Sequence, residues 1–277
     1  MKFRTIFILF NVVIVASFLF VFLLPVFLLG PSSSLVFWKG NWYLALLFLA
    51  LLGVLNAFFI ANRKTFALVE KEAWGELSAH LVSVMFPKSR FRSSQVRLLV
   101  NAYLLQSDIG GIERLEAELD AKRQNVLRKN ALLFGITRLL RNKPEEAEEF
   151  FGRYLGSKDV ESRHWLRFDY GFCLVLQRKF AQALPYLEEG TASRDPVLCL
   201  LSAYFLASVG ASYAKDDAEK SDLAERAHAA RERLLKRYPS SRWNKEVERA
   251  KSEVHIVILS KPIEDASRWL FAEKTGA

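Results

Sequence analysis

Trp165, Phe168 and Phe172 fall at three- and four-residue spacing, so on a helix they share one stripe. Three aromatics together carry enough apolar surface to anchor a partner helix. Val175 continues that face, and 36 residues earlier Lys129, Leu132, Ile136 and Leu139 stand at the matching positions. These eight residues form the candidate partner-binding set. The chemistry expected of them is apolar docking of a protein partner, an amphipathic helix or another copy of this chain. The competing reading is that the same stripe packs against the chain's own flanking helices.

No catalytic constellation accompanies the stripe. GxGxxG, P-loop, GxSxG and HExxH patterns are absent. His80, His164, His228 and His255 are scattered, and each reads as a surface or half-buried helix residue. Cys173 and Cys199 lie in apolar segments, Phe172-Cys-Leu-Val and Leu198-Cys-Leu-Leu, and read as small hydrophobes filling gaps. Glu145, Glu146, Glu148 and Glu149 follow Pro144, where acids complement a helix N-terminus without any catalysis. The expectation is a protein that is not an enzyme, with no cofactor, no metal site and no evident small-molecule substrate. The net charge of +9 raises nucleic acid as a partner, but basic and acidic residues interleave, as in Arg226, Arg231 and Arg233 around Glu225 and Glu232. That is the pattern of solvated helices, and no nucleic-acid partner is expected.

The elements that must position these residues divide the chain of 277 residues into two materials. Residues 1–61 carry Lys2, Arg4 and Lys39 and no acid. Ile6 to Leu29 and Trp42 to Ala61 are uncharged runs of 24 and 20 residues. At ~1.5 Å per residue each reaches across, or nearly across, a hydrocarbon core of about 30 Å. Between them Gly30 to Asn41 reads as a short loop, and Phe37, Trp38, Trp42 and Tyr43 cluster as aromatics do at a membrane interface. Lys2 and Arg4 before the first run, with Arg63 and Lys64 after the second, outweigh Lys39 in the loop. The positive-inside rule then predicts both termini and the remaining chain in the cytoplasm, with the loop outside. Lys64 to Phe86 reads as an amphipathic helix stopped by Pro87, and Lys88, Arg90 and Arg92 form a basic linker.

Beyond the linker the sequence is rich in Ala, Leu, Glu, Lys and Arg, and it repeats. One segment holds Gly135, Asn142-Lys-Pro-Glu-Glu-Ala147 and Phe151; the next holds Gly171, Gln177-Arg-Lys-Phe-Ala-Gln-Ala183 and Leu187. In both, a glycine precedes an alanine by twelve residues, and the units are offset by 36. Small residues at that spacing let two short antiparallel helices approach closely, and such hairpins bury their apolar faces by stacking on neighbours. This pattern, with Phe151 and Leu187 four residues after the alanine, resembles the tetratricopeptide repeat (TPR) family. The resemblance covers residues 128–197 well. Gln95 to Gln106 with Ile109 to Lys122, and Leu198 to Ser212 with Ser221 to Arg237, read as degenerate units, and Trp243 to Leu259 as a solvating cap helix. The departures are Ala131 and Arg167, where a large residue is expected, and the offset of 36 against a usual period of about 34.

The expected fold is all-α: two N-terminal transmembrane helices followed by a TPR-like α-solenoid. The expected organisation is a transmembrane hairpin over 1–61, a juxtamembrane helix and basic linker over 62–92, helical repeats over 93–242 and a capping helix and tail over 243–277. The resemblance implies protein binding through a concave face. The expected function is a membrane-anchored scaffold that recruits a protein partner at a bilayer, the bacterial inner membrane. A structural subunit of a large envelope assembly, such as a secretion or motility machine, is the alternative.

Overall fold

The computed structural model describes residues 3–87, 89–210, 213–214, 216–251 and 253–272. Lys2 and Lys88, counted above among the orienting and linker cations, lie outside the described residues, as do Ser212 and the tail 273–277. Among the described residues every regular element is helical and none is a strand. The chain forms two compact units, residues 1–87 and 88–277.

The first unit is a long helix, α1 (Phe3–Glu70), followed by α2 (Trp74–Met85). Inside α1 the backbone leaves helical geometry at Gly30 (φ 79°, ψ 167°) and Asn41 (φ −122°, ψ 18°). Gly30 reverses the chain, and its φ lies where an L side chain is strained. The segment expected as a loop is thereby helical on both sides of one glycine break. The two halves pair antiparallel: Phe22 stacks on Trp38 and Phe18 on Phe48, both at 4.3 Å, and Phe7 lies 5.2 Å from Phe59. The Trp38 indole N–H donates to the Phe22 carbonyl at 3.3 Å, so this ring belongs to the hairpin's inner face, while Trp42 and Tyr43 are exposed. Asn56 Nδ2 donates to Asn11 Oδ1 at 2.9 Å, a polar cross-link inside an apolar pair of helices. The segments Phe7–Leu28 and Ser34–Glu70 are long and apolar enough to cross a membrane.

The helix expected from Lys64 to Phe86 is two helices. α1 ends at Glu70, Glu72 takes a left-handed φ of 52°, and α2 runs back over the end of α1. The fold-back buries Leu77, Leu81 and Met85 on one face of α2.

The second unit contains α3 (Ser93–Leu105), α4 (Ile109–Lys122), α5 (Gln124–Lys129), α6 (Ala131–Leu140), α7 (Pro144–Gly152), α8 (Arg163–Leu176), α9 (Phe180–Thr191) and α10 (Pro196–Phe205). A π-helical turn over Leu206–Gly210 ends α10. Then come α11 (Asp217–Arg237), α12 (Ser240–Lys251), a 3₁₀ turn (Val254–Leu259) and α13 (Ser260–Phe271). α6, α7, α8, α9 and α10 pack each on the next. Val197 to Ala203 are buried on every side of α10, as in a helix that is apolar all round. α9, α11, α12 and α13 all pack against it.

One turn recurs along the chain. Glu72, Ser107, Asn142 and Arg178 all have φ between 52° and 60°, at intervals of 35, 35 and 36 residues. At each, the next residue's N–H reaches back five residues to a carbonyl: Ala73 to Leu68 (3.0 Å), Asp108 to Tyr103 (2.9 Å), Lys143 to Arg138 (3.0 Å) and Lys179 to Leu174 (2.8 Å). The left-handed residue's own N–H bonds three back, to Val69, Leu104, Leu139 and Val175. This is the Schellman ending of a helix, repeated four times, and in each case the next helix starts two residues later.

The small residues sit between the helices of each hairpin. A Cβ on Gly135 would overlap the Phe151 ring, and one on Gly171 would lie 2.8 Å from Tyr186 Cβ and 3.7 Å from the Ala183 carbonyl oxygen. Gly171 thus approaches Ala183 along the helix backbone. In the other hairpin Phe151, four residues after Ala147, fills the glycine's space.

Candidate functional site

The aromatic stripe lies inside the second unit. Phe168 is 1% exposed, and Trp165 and Phe172 are also buried. Phe168 and Phe172 stack with rings 5° from parallel, and Phe205 of α10 packs against both, at 6.3 and 5.5 Å. The Trp165 indole N–H donates to Asp195 Oδ2 at 3.0 Å, and its ring meets His255 at 5.1 Å. Leu132 and Ile136 of α6 are buried, and the 3₁₀ turn packs on that helix. Leu139 and Val175 are half-buried and Lys129 is exposed. The face read from the sequence as an open groove is therefore filled by the chain's own α10 and C-terminal segment. The flanking-helix reading describes Trp165, Phe168, Phe172 and Ile136. The segment expected as a solvating cap contributes Trp243, Ile256 and Leu259 to the interior.

Two of the eight residues, Lys129 and Leu132, line a cavity of about 320 Å³ on the inner side of α3 and α6. Four segments build it. α3 supplies Arg97 and Asn101, and Ser93 stands one turn before them on the same stripe. The junction of α5 and α6 supplies Lys129 and Asn130, and the turn before α8 supplies Glu161, whose N–H donates to the Lys129 carbonyl at 3.0 Å. The C-terminal segment supplies Glu253 and His255.

One side of this cavity is internally satisfied. Arg97 forms an ion pair with Glu161, and Ser93 Oγ donates to Glu161 Oε1 at 3.0 Å. Asn130 Nδ2 donates to Ser93 Oγ at 3.0 Å and to the Val126 carbonyl at 2.8 Å. The other side is not. Asn101 Oδ1 and His255 Nε2 are buried and have no hydrogen-bond partner among the described residues. His255 is 4% exposed, with Nδ1 facing the Glu253 carboxylate at 3.4 Å. Burial lowers its pKa from 6.5 to about 4; nearby Arg97 acts in the same direction and Asp195 against it. The ring is therefore neutral at pH 7. With the proton on Nδ1, toward the carboxylate, Nε2 is left as an acceptor.

Arg97, Asn101 and Glu253 carry no signal in the sequence, and His255, expected at a surface or half-buried helix position, is buried. The available signal was the apolar run Val254-His-Ile-Val-Ile-Leu259, which contradicts a solvated helix and places its histidine inside. Asp169 is a further buried polar group, fully enclosed with neither carboxylate oxygen partnered among the described residues, and burial raises its pKa well above 3.8. Burial also pushes the Cys173 and Cys199 thiols up, so neither is a ready nucleophile. Among the described residues no group of three or more His, Cys, Asp or Glu is placed to hold a metal ion.

The fold and cavity define an all-helical protein with two apolar N-terminal helices. The chain belongs to the family described as "Uncharacterised Treponema protein", whose model matches residues 111–272. It is similar to an uncharacterized protein of Treponema pallidum (strain Nichols), 32% identical over 232 residues that cover 82% of this chain and 74% of that protein. No solved structure matches it.

Proposed function

We propose that the chain is a membrane-anchored, TPR-like scaffold that recruits a protein partner at the bacterial inner membrane. Its two apolar helices are the anchor, and both termini and the helical repeats lie in the cytoplasm. The observation that carries the reading is the Schellman turn repeated at Glu72, Ser107, Asn142 and Arg178, because hairpins of one geometry at a constant interval are the building plan of a helical solenoid. Repeats of this kind present the same position of successive units along one edge. Here that position holds Leu105, Leu140 and Leu176, each closing the first helix of its hairpin and each 43–57% exposed. These leucines replace the buried stripe as the proposed docking surface.

Two experiments test the proposal. A reporter active only in the cytoplasm, fused after Ala277, gives signal, and the same reporter at Ser33 gives none; the reverse pattern refutes the orientation. The detergent-solubilised chain captures a defined partner. Leu105→Asp, Leu140→Asp and Leu176→Asp together abolish that capture with unchanged melting, because all three side chains are exposed. Capture undiminished in the triple variant removes the leucine edge from the proposal.

A further inference from the structure

The end of the N-terminal hairpin opposite Gly30 carries a cleft of about 870 Å³. Its floor is apolar. Phe7 and Ile8 come from the stretch of α1 before Gly30 and Phe59 and Ile60 from the stretch after it, with the Phe7 and Phe59 rings 5.2 Å apart. Ile60, Arg63, Lys64 and Ala67 stand at i, i+3, i+4 and i+7, so they share one face of α1. Apolar and cationic side chains therefore line the same space, one helical turn apart. Neither Arg63 nor Lys64 has a carboxylate within ion-pair distance among the described residues. α2 packs on this end of α1 without adding a counter-charge. Beside Lys64 it sets His80, which burial and then the Lys64 charge hold below the ordinary pKa of 6.5. Among the described residues Glu70 is the one acid that lines the cleft, so two cations against one carboxylate leave it net positive.

Depth in a bilayer decides what fills such a cleft, and the inference therefore rests on the reading of the hairpin as a membrane anchor. The uncharged run ends at Ala61, and Arg63 and Lys64 stand two and three residues beyond it. At ~1.5 Å per residue that is about 3–5 Å, inside a headgroup layer roughly 5–7 Å thick. The two cations thus meet lipid phosphates, while the four apolar residues meet the first carbons of the acyl chains. Ordered water needs polar partners, and the Phe and Ile side chains of the floor offer none. A bare hydrocarbon chain covers the floor but leaves both cations without an anion. A zwitterionic phospholipid supplies a phosphate but adds a second positive group to a cleft that is already positive. A phospholipid of net negative charge meets floor and rim together, its phosphate held by the forked Arg63 guanidinium and by the Lys64 ammonium. We propose that this cleft is a binding site for one anionic phospholipid of the leaflet nearer the termini, its acyl stem on Phe7, Ile8, Phe59 and Ile60 and its phosphate on Arg63 and Lys64. An occupied site fixes the depth of the hairpin at the point where α2 folds back, and so ties that junction to the composition of the bilayer.

The test uses the full chain in nanodiscs of phosphatidylglycerol, phosphatidylethanolamine and phosphatidylcholine in equal parts, followed by native mass spectrometry of the released protein. One retained phosphatidylglycerol is expected, enriched about fivefold or more over either zwitterionic lipid, the scale set by a single basic residue at a membrane surface. Arg63→Gln with Lys64→Gln, both exposed side chains, brings that enrichment to parity. Ala67→Trp keeps both cations but fills the cleft, and it also abolishes the enrichment. Lys71→Gln, exposed and outside the cleft, leaves it unchanged. Equal retention of the three lipids by the wild-type chain overturns the proposal. Enrichment that survives Ala67→Trp, or that falls as far in Lys71→Gln as in the double variant, also overturns it, since the attraction is then diffuse. Alkaline extraction from vesicles of phosphatidylcholine alone reports the anchor separately. A chain stripped from those vesicles refutes the membrane anchor, whereas a chain that stays in them and shows no lipid preference refutes this site alone.

Discussion

At the scale of single residues, two buried titratable groups set opposite pH dependences. Asp169 carries a carboxyl with no hydrogen-bond partner among the described residues, and its raised pKa keeps it neutral where the unfolded chain's aspartate is ionised. Such a group contributes most below the ordinary aspartate value near 3.8, and its contribution is lost as pH rises toward the folded pKa. Asp169→Asn removes the ionisation, so the variant should match or exceed wild-type stability at pH 8 and show a flatter profile between pH 4 and 8. His255 runs the other way. Its folded pKa near 4 lies below 6.5, so stability is full above about pH 6.5 and is lost as pH falls toward 4. The total loss is at most about 3 kcal/mol, at 1.36 kcal/mol per pKa unit. His255→Gln keeps a polar side chain without the titration, so it should flatten the acid limb alone. Urea melts of both variants across pH, at fixed ionic strength, separate the two slopes. Neither role was legible in the sequence. Asp169 falls on the same helical face as Phe168 and Phe172, and nothing local says that α10 covers that face.

At the scale of elements, the Gly135–Ala147 and Gly171–Ala183 spacing located α6 to α9 because close helix approach requires small residues at fixed positions. The recurring turn was less legible because none of its four left-handed residues is a glycine. At Glu72 the surrounding sequence reads as continuous helix, and only the packing of Leu77, Leu81 and Met85 breaks it there. α3 and α4 form a hairpin closed by the same turn, although Val100 and Ile112 stand where the later units have glycine and alanine. The turns lead to a direct expectation. An L-residue in left-handed geometry costs roughly 1–2 kcal/mol, and glycine's extra unfolded-state freedom offsets about 0.5–1 kcal/mol of the relief. Arg178 is exposed and forms no ion pair among the described residues, so Arg178→Gly should raise stability by up to about 1 kcal/mol. Arg178→Val, β-branched in the same geometry, should lower it by about 1 kcal/mol or more. Equal melting of the two variants would mean that the turn does not set the hairpin geometry.

At the scale of the whole molecule, the two units place their apolar residues in opposite ways. The N-terminal hairpin turns them outward, with Phe27 82% and Leu28 73% exposed, whereas the second unit turns them inward around α10. The composition shift near residue 61 announced that contrast, since a run without acids has no means of solvating its surface in water. What the composition did not announce is the place of the C-terminal segment. Ser221 to Arg237 reads as part of a degenerate repeat unit, Trp243 to Leu259 as a solvating cap and the remainder as a tail, yet α11, α12 and α13 each turn an apolar edge toward α10. Arg231 of α11 is buried and donates to the Leu270 carbonyl at 3.0 Å and to that of Ala272, and so holds the end of α13. The second unit is thus closed by its last helices, and the aromatic stripe depends on that closure. Phe172→Ala should therefore act on folding and not on recognition, with a loss of about 3–5 kcal/mol. Ending the chain after Glu253 removes the 3₁₀ turn and α13, and takes away His255 from Trp165 and the cover from α6 and one side of α10. Hydrogen exchange of the truncated chain should then show lost protection in α6, α8 and α10 together, with α1 and α2 unchanged because they belong to a separate unit. Protection retained in α8 after truncation would show that α10 alone buries the stripe, and the C-terminal segment would then be a bystander to the core.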